Sequence, residues 1–130
     1  MTFATHDRRP YFTDWHVARE AAQILTSTGS WPDAHVLAWV LMPDHWHGLV
    51  QIEEGASLSR SVGFCKGRSA RMLRQRNEPL GRVWARGFHD RALRDADGLR
   101  AVARYIVMNP IRAGLVRSVR EYPYWDATWL

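Results

Sequence analysis

Ala34-His35-Val36-Leu37-Ala38-Trp39-Val40-Leu41-Met42-Pro43-Asp44-His45-Trp46-His47-Gly48-Leu49-Val50-Gln51-Ile52-Glu53 holds two apolar stretches broken once, at Pro43-Asp44. Each is rich in β-branched and aromatic residues, and the break is two residues long. The expected structure is an antiparallel hairpin with strands over 34–42 and 45–53. In an extended strand, side chains at i and i+2 share a face, so His45 and His47 flank Trp46 on one side of the sheet. Two imidazoles placed in this way can close on one metal ion.

Working outward, Ser57 is placed to open a helix to about residue 76 that carries Arg60, Lys66, Arg68, Arg71, Arg74 and Arg76. Upstream, Asp14 can cap a helix to about residue 28, with Val17, Ala18, Ala21, Ile24 and Leu25 on its inner face and Gly29 stopping it. Residues 2–5 look like the end of a strand. Residues 81–93 read as extended, with Arg82, Trp84, Arg86 and Phe88 alternating onto one face. Asp95 then caps a third helix ending at Asn109 and Pro110, with Leu99, Val102, Ala103 and Ile106 as its core stripe. The aromatic tail, 121–130, is expected to pack back on the body. The order β, α, ββ, α, β, α suits an α+β fold: a ferredoxin-like antiparallel sheet with helices packed on one side.

The 130 residues are expected to form one domain, with no repeat or linker-like stretch dividing them. The chain carries 18 Lys plus Arg against 13 Asp plus Glu, a formal charge of +5, and Lys66 is its only lysine. Arginine's planar fork fits phosphate and stacks on bases, so the skew points to nucleic acid, although a GC-rich genome would favour arginine codons as well. Cys65 is alone and cannot form an internal disulfide. With no long apolar run and no leader pattern, the expectation is a cytoplasmic protein without a membrane span.

Near the C-terminus, Tyr105 and Asn109 are four residues apart, a spacing that stacks phenol and amide on one helical face. With His45 and His47 they suggest metal-assisted attack on a phosphodiester. An imidazole pair suits zinc. Adding an amide oxygen and leaving the other positions to water and phosphate favours Mg2+ or Mn2+. Lys66, Arg68, Arg71, Arg74 and Arg86 are candidates for contacts to a DNA backbone, and Trp84 and Phe88 for stacking on bases. Each element also has an ordinary reading. A His-x-His pair is commonly packed or surface-exposed, a tyrosine beside an apolar stripe is commonly core, Asn109 before Pro110 can simply end a helix, and a basic helix can be a solvated face.

Three segments carry a resemblance. Val40-Leu41-Met42-Pro43-Asp44-His45-Trp46-His47, Trp84-Ala85-Arg86-Gly87-Phe88-His89-Asp90 and the run from Arg104 through Asn109-Pro110-Ile111-Arg112-Ala113-Gly114-Leu115-Val116 resemble the REP-associated tyrosine transposases of the HUH superfamily. The resemblance implies a single-stranded DNA endonuclease and strand transferase acting at hairpin-forming palindromic repeats through a 5′-phosphotyrosine intermediate. By position, Tyr105 matches the nucleophile, His45 and His47 the metal-binding pair, and Asn109 the polar ligand one turn on. The implied metal is Mg2+ or Mn2+, and the implied state a monomer, although a homodimer sharing Tyr105 across subunits fits the motifs as well. Family members usually carry further residues before the segment matching 1–10, so the chain is expected to be short at that end. The competing readings are a non-catalytic hairpin-binding regulator that keeps the fold, and a phosphodiesterase in which water attacks.

Overall fold

A computed structural model describes residues 1–77, 80–93 and 95–129, apart from the side chains of 96 and 97. The hairpin is its centre. Strand β2 (Ala34–Met42) pairs antiparallel with β3 (His45–Ile52), with Met42 opposite His45 and Val40 opposite His47, and Pro43-Asp44 as the connecting turn. On its other edge β3 pairs with β1 (Thr2–Ala4), Thr2 lying opposite His47 and Ala4 opposite His45. A short strand from the tail, β4 (Trp125–Ala127), adds to β2, giving the antiparallel order β1-β3-β2-β4.

The helices begin where side chains can satisfy their first N–H groups. Helix α1 (Trp15–Thr26) starts after Asp14, whose carboxylate accepts from His16 N at 2.9 Å and Val17 N at 3.3 Å. Helix α2 (Leu58–Arg76) starts after Ser57, whose hydroxyl accepts from Arg60 N, and α3 (Ala96–Val107) after Asp95, which accepts from Gly98 N. A four-residue helix, α4 (Asn109–Arg112), follows Met108 directly.

The fold is α+β with an antiparallel sheet, as expected, but its helices lie on both faces instead of one. Helices α1 and α2 form a core with Phe3, Leu41 and Trp46, while Ala103, Ile106 and Val107 of α3 pack on Val40, Met42 and Leu49 from the opposite side. The cause is visible in β2, where Val40-Leu41-Met42 is fully apolar and so gives each face something to bury. A bulge between Val36 and Ala38 shifts the register, which puts the adjacent residues Leu37 and Ala38 on the same face, toward α3.

The stretch 81–93 makes only two isolated bridges to the first strand, Thr5 with Trp84 and Thr2 with His89, in place of the expected full strand. Its side chains do not share one face: Arg82 and Arg86 are exposed, whereas Trp84 is buried. The tail packs back as expected. Tyr122 Oη donates to Leu41 O, and Trp125 Nε1 donates to Val119 O. Leu130, at its end, lies outside the described residues. Among those residues no helix is long and apolar enough to cross a membrane.

Candidate active site

Alternation along β3 decides which face is chemical. Trp46, Val50 and Ile52 point toward α1 and α2, so His45, His47 and Leu49 point toward α3. Helix α3 holds that position through its apolar stripe, Leu99, Val102, Ala103, Ile106 and Val107. Tyr105 lies beside the stripe and is 56% exposed. Its ring stands edge-on to His47, with centroids 6.4 Å apart. Asn109, at the start of α4, brings its side-chain amide to 3.4 Å from His47 Nδ1. The four residues singled out from the sequence thus occupy one face of the molecule.

His45 is further oriented by a residue the sequence offered only as a turn former. Asp44 Oδ1 sits 2.8 Å from His45 Nδ1. A carboxylate there favours a proton on Nδ1 and leaves the Nε2 lone pair free. The turn is itself anchored, because Asp44 O accepts from Thr5 N and Thr5 Oγ1, and Pro43 O accepts from Phe12 N.

Burial pushes the His47 imidazole down from 6.5 to about 4, with the chain's amino group, His45 and Arg112 adding to the effect. At neutral pH it is therefore uncharged, the form that can ligate a metal. Between about pH 4 and 6.5 the unfolded chain takes up a proton at this position that the folded chain refuses. The group's contribution to stability is thus full above pH 6.5 and fades as pH falls to 4. Urea midpoints should show the gap between wild type and His47→Gln closing in favour of the variant over that window; a constant gap would contradict it.

The donor set fits a divalent cation. Two imidazoles share a face, and rotating the Asn109 amide about χ2 exchanges its nitrogen for its oxygen beside His47. Among the described residues no group of three His, Cys, Asp or Glu side chains could hold a metal. The amide oxygen would make a third donor beside the two imidazoles, a set that would leave positions open to water and phosphate and would suit Mg2+ or Mn2+ better than a closed zinc site.

A second residue not foreseen as part of the site is Arg112. Its guanidinium carbon lies 3.6 Å from the centroid of the Tyr105 ring. The spacing signal was present, since 105, 109 and 112 follow the i, i+4, i+7 rhythm of one helical face.

The family model described as "Transposase IS200 like" matches residues 1–109. The chain belongs to the IS200-like transposase family. A protein of Haemophilus influenzae assigned to the REP-associated tyrosine transposases is 27% identical over 136 aligned positions, covering 95% of this chain and 76% of that protein. The REP-associated tyrosine transposase of Escherichia coli K12 is 28% identical over 89 residues, 67% of this chain and half of that protein. Among solved structures, a REP-associated tyrosine transposase bound to a REP hairpin superposes with a TM-score of 0.74 at 24% identity, covering 95% of this chain and 72% of the other. A transposase structure from Deinococcus radiodurans gives 0.59 at 23% identity, covering 83% and 85%. These two likenesses establish the fold.

The expected DNA contacts of this IS200-like chain separate on inspection. Arg71, Arg74 and Arg86 are exposed. Arg74 and Arg86 line a groove of about 370 Å3 together with Arg82, over a floor of Gly63, Gly67 and Ala70. Lys66 reaches the same groove, but its Nζ donates to Ala85 O and Gly87 O, both at 2.7 Å, fastening the loop to α2. Arg68 is turned inward onto Ser27 Oγ at 3.0 Å and Ser30 Oγ. Trp84 is corrected outright as a base-stacking surface: it is 5% exposed, edge-on to Phe3, and donates from Nε1 to Ser69 Oγ. Phe88 is half-buried against the same core.

Arg68→Met should therefore cost about 1–2 kcal/mol of stability by removing the charged donor shared by the Ser27 and Ser30 hydroxyls, while Ser30 keeps its bond to Ile24 O. Hairpin affinity should change less than in Arg71→Met. Denaturant melts and binding titrations on both variants check this, and the reverse order would restore Arg68 as a DNA contact.

Proposed function

We propose that this chain, read as one HUH-type domain over 1–130, is a metal-dependent single-stranded DNA endonuclease and strand transferase acting at hairpin-forming repeats. The observation that carries the reading is Tyr105 standing edge-on to His47, with the Asn109 amide beside the same imidazole, all within one chain. The closeness of Tyr105, His47 and Asn109 within one chain supports the monomeric site of this proposal, with a tyrosine donated by a partner as its alternative.

In the proposed reaction the Tyr105 Oη–phosphorus bond forms as the bond from phosphorus to the 3′ oxygen breaks. The phenolic proton passes to solvent, and the departing 3′ oxygen takes up a proton. The product is a 5′-phosphotyrosine and a free 3′ hydroxyl. Because the ester conserves the energy of the broken bond, a 3′ hydroxyl can attack it and rejoin strands without a nucleotide cofactor. His45, His47 and Asn109 would hold Mg2+ or Mn2+, which when bound supplies positive charge to the phosphate oxygens. Asp44 keeps His45 in the ligating tautomer, and the uncharged His47 presents its lone pair at neutral pH. The groove between α2 and residues 82–86 would carry the hairpin backbone on Arg74, Arg82 and Arg86.

The deciding experiment incubates the protein with end-labelled hairpin DNA bearing single-stranded flanks, taken from repeats of the source genome, with and without Mn2+. A metal-dependent adduct that survives denaturing electrophoresis and maps by mass spectrometry to Tyr105 is the expected result. Tight hairpin binding with no adduct and no cleavage would leave a repeat-binding regulator. Metal-dependent cleavage without an adduct would indicate attack by water.

A further inference from the structure

Among the described residues, Arg112 is the one cation placed over the ring of the candidate nucleophile. Its guanidinium lies over the Tyr105 ring at 3.6 Å, close enough for cation–π attraction, and its charge is felt at His47. The side chain is exposed, and among the described residues it has neither a carboxylate partner nor a hydrogen bond.

The backbone that presents it is well held. Pro110 is fully buried, Arg112 N donates to Met108 O, Ala113 N to Asn109 O and Leu115 N to Pro110 O. Met108, with φ −82° and ψ −4°, stays in the right-handed helical region, so α4 follows α3 with a single residue between them. With the guanidinium carbon over the ring and its N–H groups unengaged among the described residues, those donors remain available to a phosphate oxygen brought up to the Tyr105 hydroxyl.

We propose that Arg112 is a catalytic residue whose guanidinium, stacked on Tyr105, donates hydrogen bonds to a non-bridging oxygen of the phosphodiester under attack. The inference rests on the proposed tyrosine chemistry and adds a contact to it. Charge gathers on the equatorial oxygens as the displacement proceeds, and a preorganised guanidinium stabilises it more in the transition state than in the ground state. The stacking serves the same step by holding ring and cation in one orientation, so neither has to be ordered when DNA arrives.

The test uses single-turnover adduct formation on pre-bound hairpin DNA at saturating Mn2+, with wild type, Arg112→Gln and Arg112→Lys. Arg112→Gln should slow the step roughly a hundredfold or more with hairpin affinity nearly unchanged, and Arg112→Lys should recover part of the rate because it restores charge without the planar fork. A glutamine variant as fast as wild type, or one whose rate falls only in step with its hairpin affinity, overturns the assignment. An NMR readout is independent of turnover. The Arg112 Nε–H resonance should be displaced by the Tyr105 ring current, return to an ordinary position in Tyr105→Leu, and move again when a flanked hairpin oligonucleotide is added. A wild type that forms no adduct overturns the tyrosine chemistry; an Nε–H signal indifferent to the oligonucleotide overturns the phosphate contact on its own.

Discussion

Tyr105→Phe should abolish the covalent protein–DNA adduct, a loss of roughly four orders of magnitude or more in the rate of its formation, because the only atom removed is the proposed nucleophile. The fold should be untouched. Tyr105 is 56% exposed and its hydroxyl has no hydrogen-bond partner among the described residues, so stability should shift by less than about 0.5 kcal/mol. Hairpin affinity should also persist, since the basic groove on α2 lies on the other side of the sheet. Gel assays for adduct, thermal melts and binding titrations on one preparation separate the three quantities. Adduct formation at more than a tenth of the wild-type rate would remove Tyr105 from the chemistry.

Gly48→Ala should be among the most destabilising single-methyl additions available to this chain. A Cβ at residue 48 would stand 2.0 Å from Trp46 Cη2 and 2.5 Å from Cζ3, well inside contact distance. The indole cannot swing aside, because Trp46 is 0% exposed and is stacked by Phe3 at 5.1 Å and Trp31 at 5.7 Å. Its Nε1 has no hydrogen-bond partner, so the ring is held by shape alone. Overpacking of a rigid core costs about 1–3 kcal/mol, and an immovable aromatic partner puts this site at the upper end. Because residue 48 follows His47 directly, the strain should also displace the imidazole and reduce adduct formation. Urea unfolding gives the first number and the gel assay the second. A variant within about 0.5 kcal/mol of wild type would mean the tryptophan repacks freely.

Much of this architecture was legible because local chemistry and global fold agree. Asp14, Ser57 and Asp95 were recognisable caps, and each accepts from the first turn of its helix. The hairpin was legible from a single two-residue break in an apolar run, and that pairing placed the histidines. What escaped were features with no local signature. The bulge near Leu37 hides inside a continuously apolar strand, where a change of face leaves no polar trace. Strand β4 is three residues long and is specified by its docking on β2 more than by its own sequence. Trp84 alternates with arginines like a surface residue, and only the tertiary partners Phe3 and Ser69 make it core. The apolar run Val40-Leu41-Met42 did carry the sign that both faces would be covered, and it is this that sets α3 opposite α1 and α2.

That two-sided cover bears on the path of the nucleic acid. Tyr105 and the arginine groove face away from each other across the thickness of the sheet, and the groove borders the same edge, formed by residues 82–86 and β1, that runs beside His45 and His47. On the proposed reading, a duplex stem seated in the groove cannot itself deliver a phosphate to the tyrosine. A flexible tail has to turn the corner of the sheet to do so. The protein would then act as a molecular ruler, measuring the cut from the foot of the stem by the length of unpaired strand that fits around that corner. Stems trimmed flush would occupy it as inhibitors.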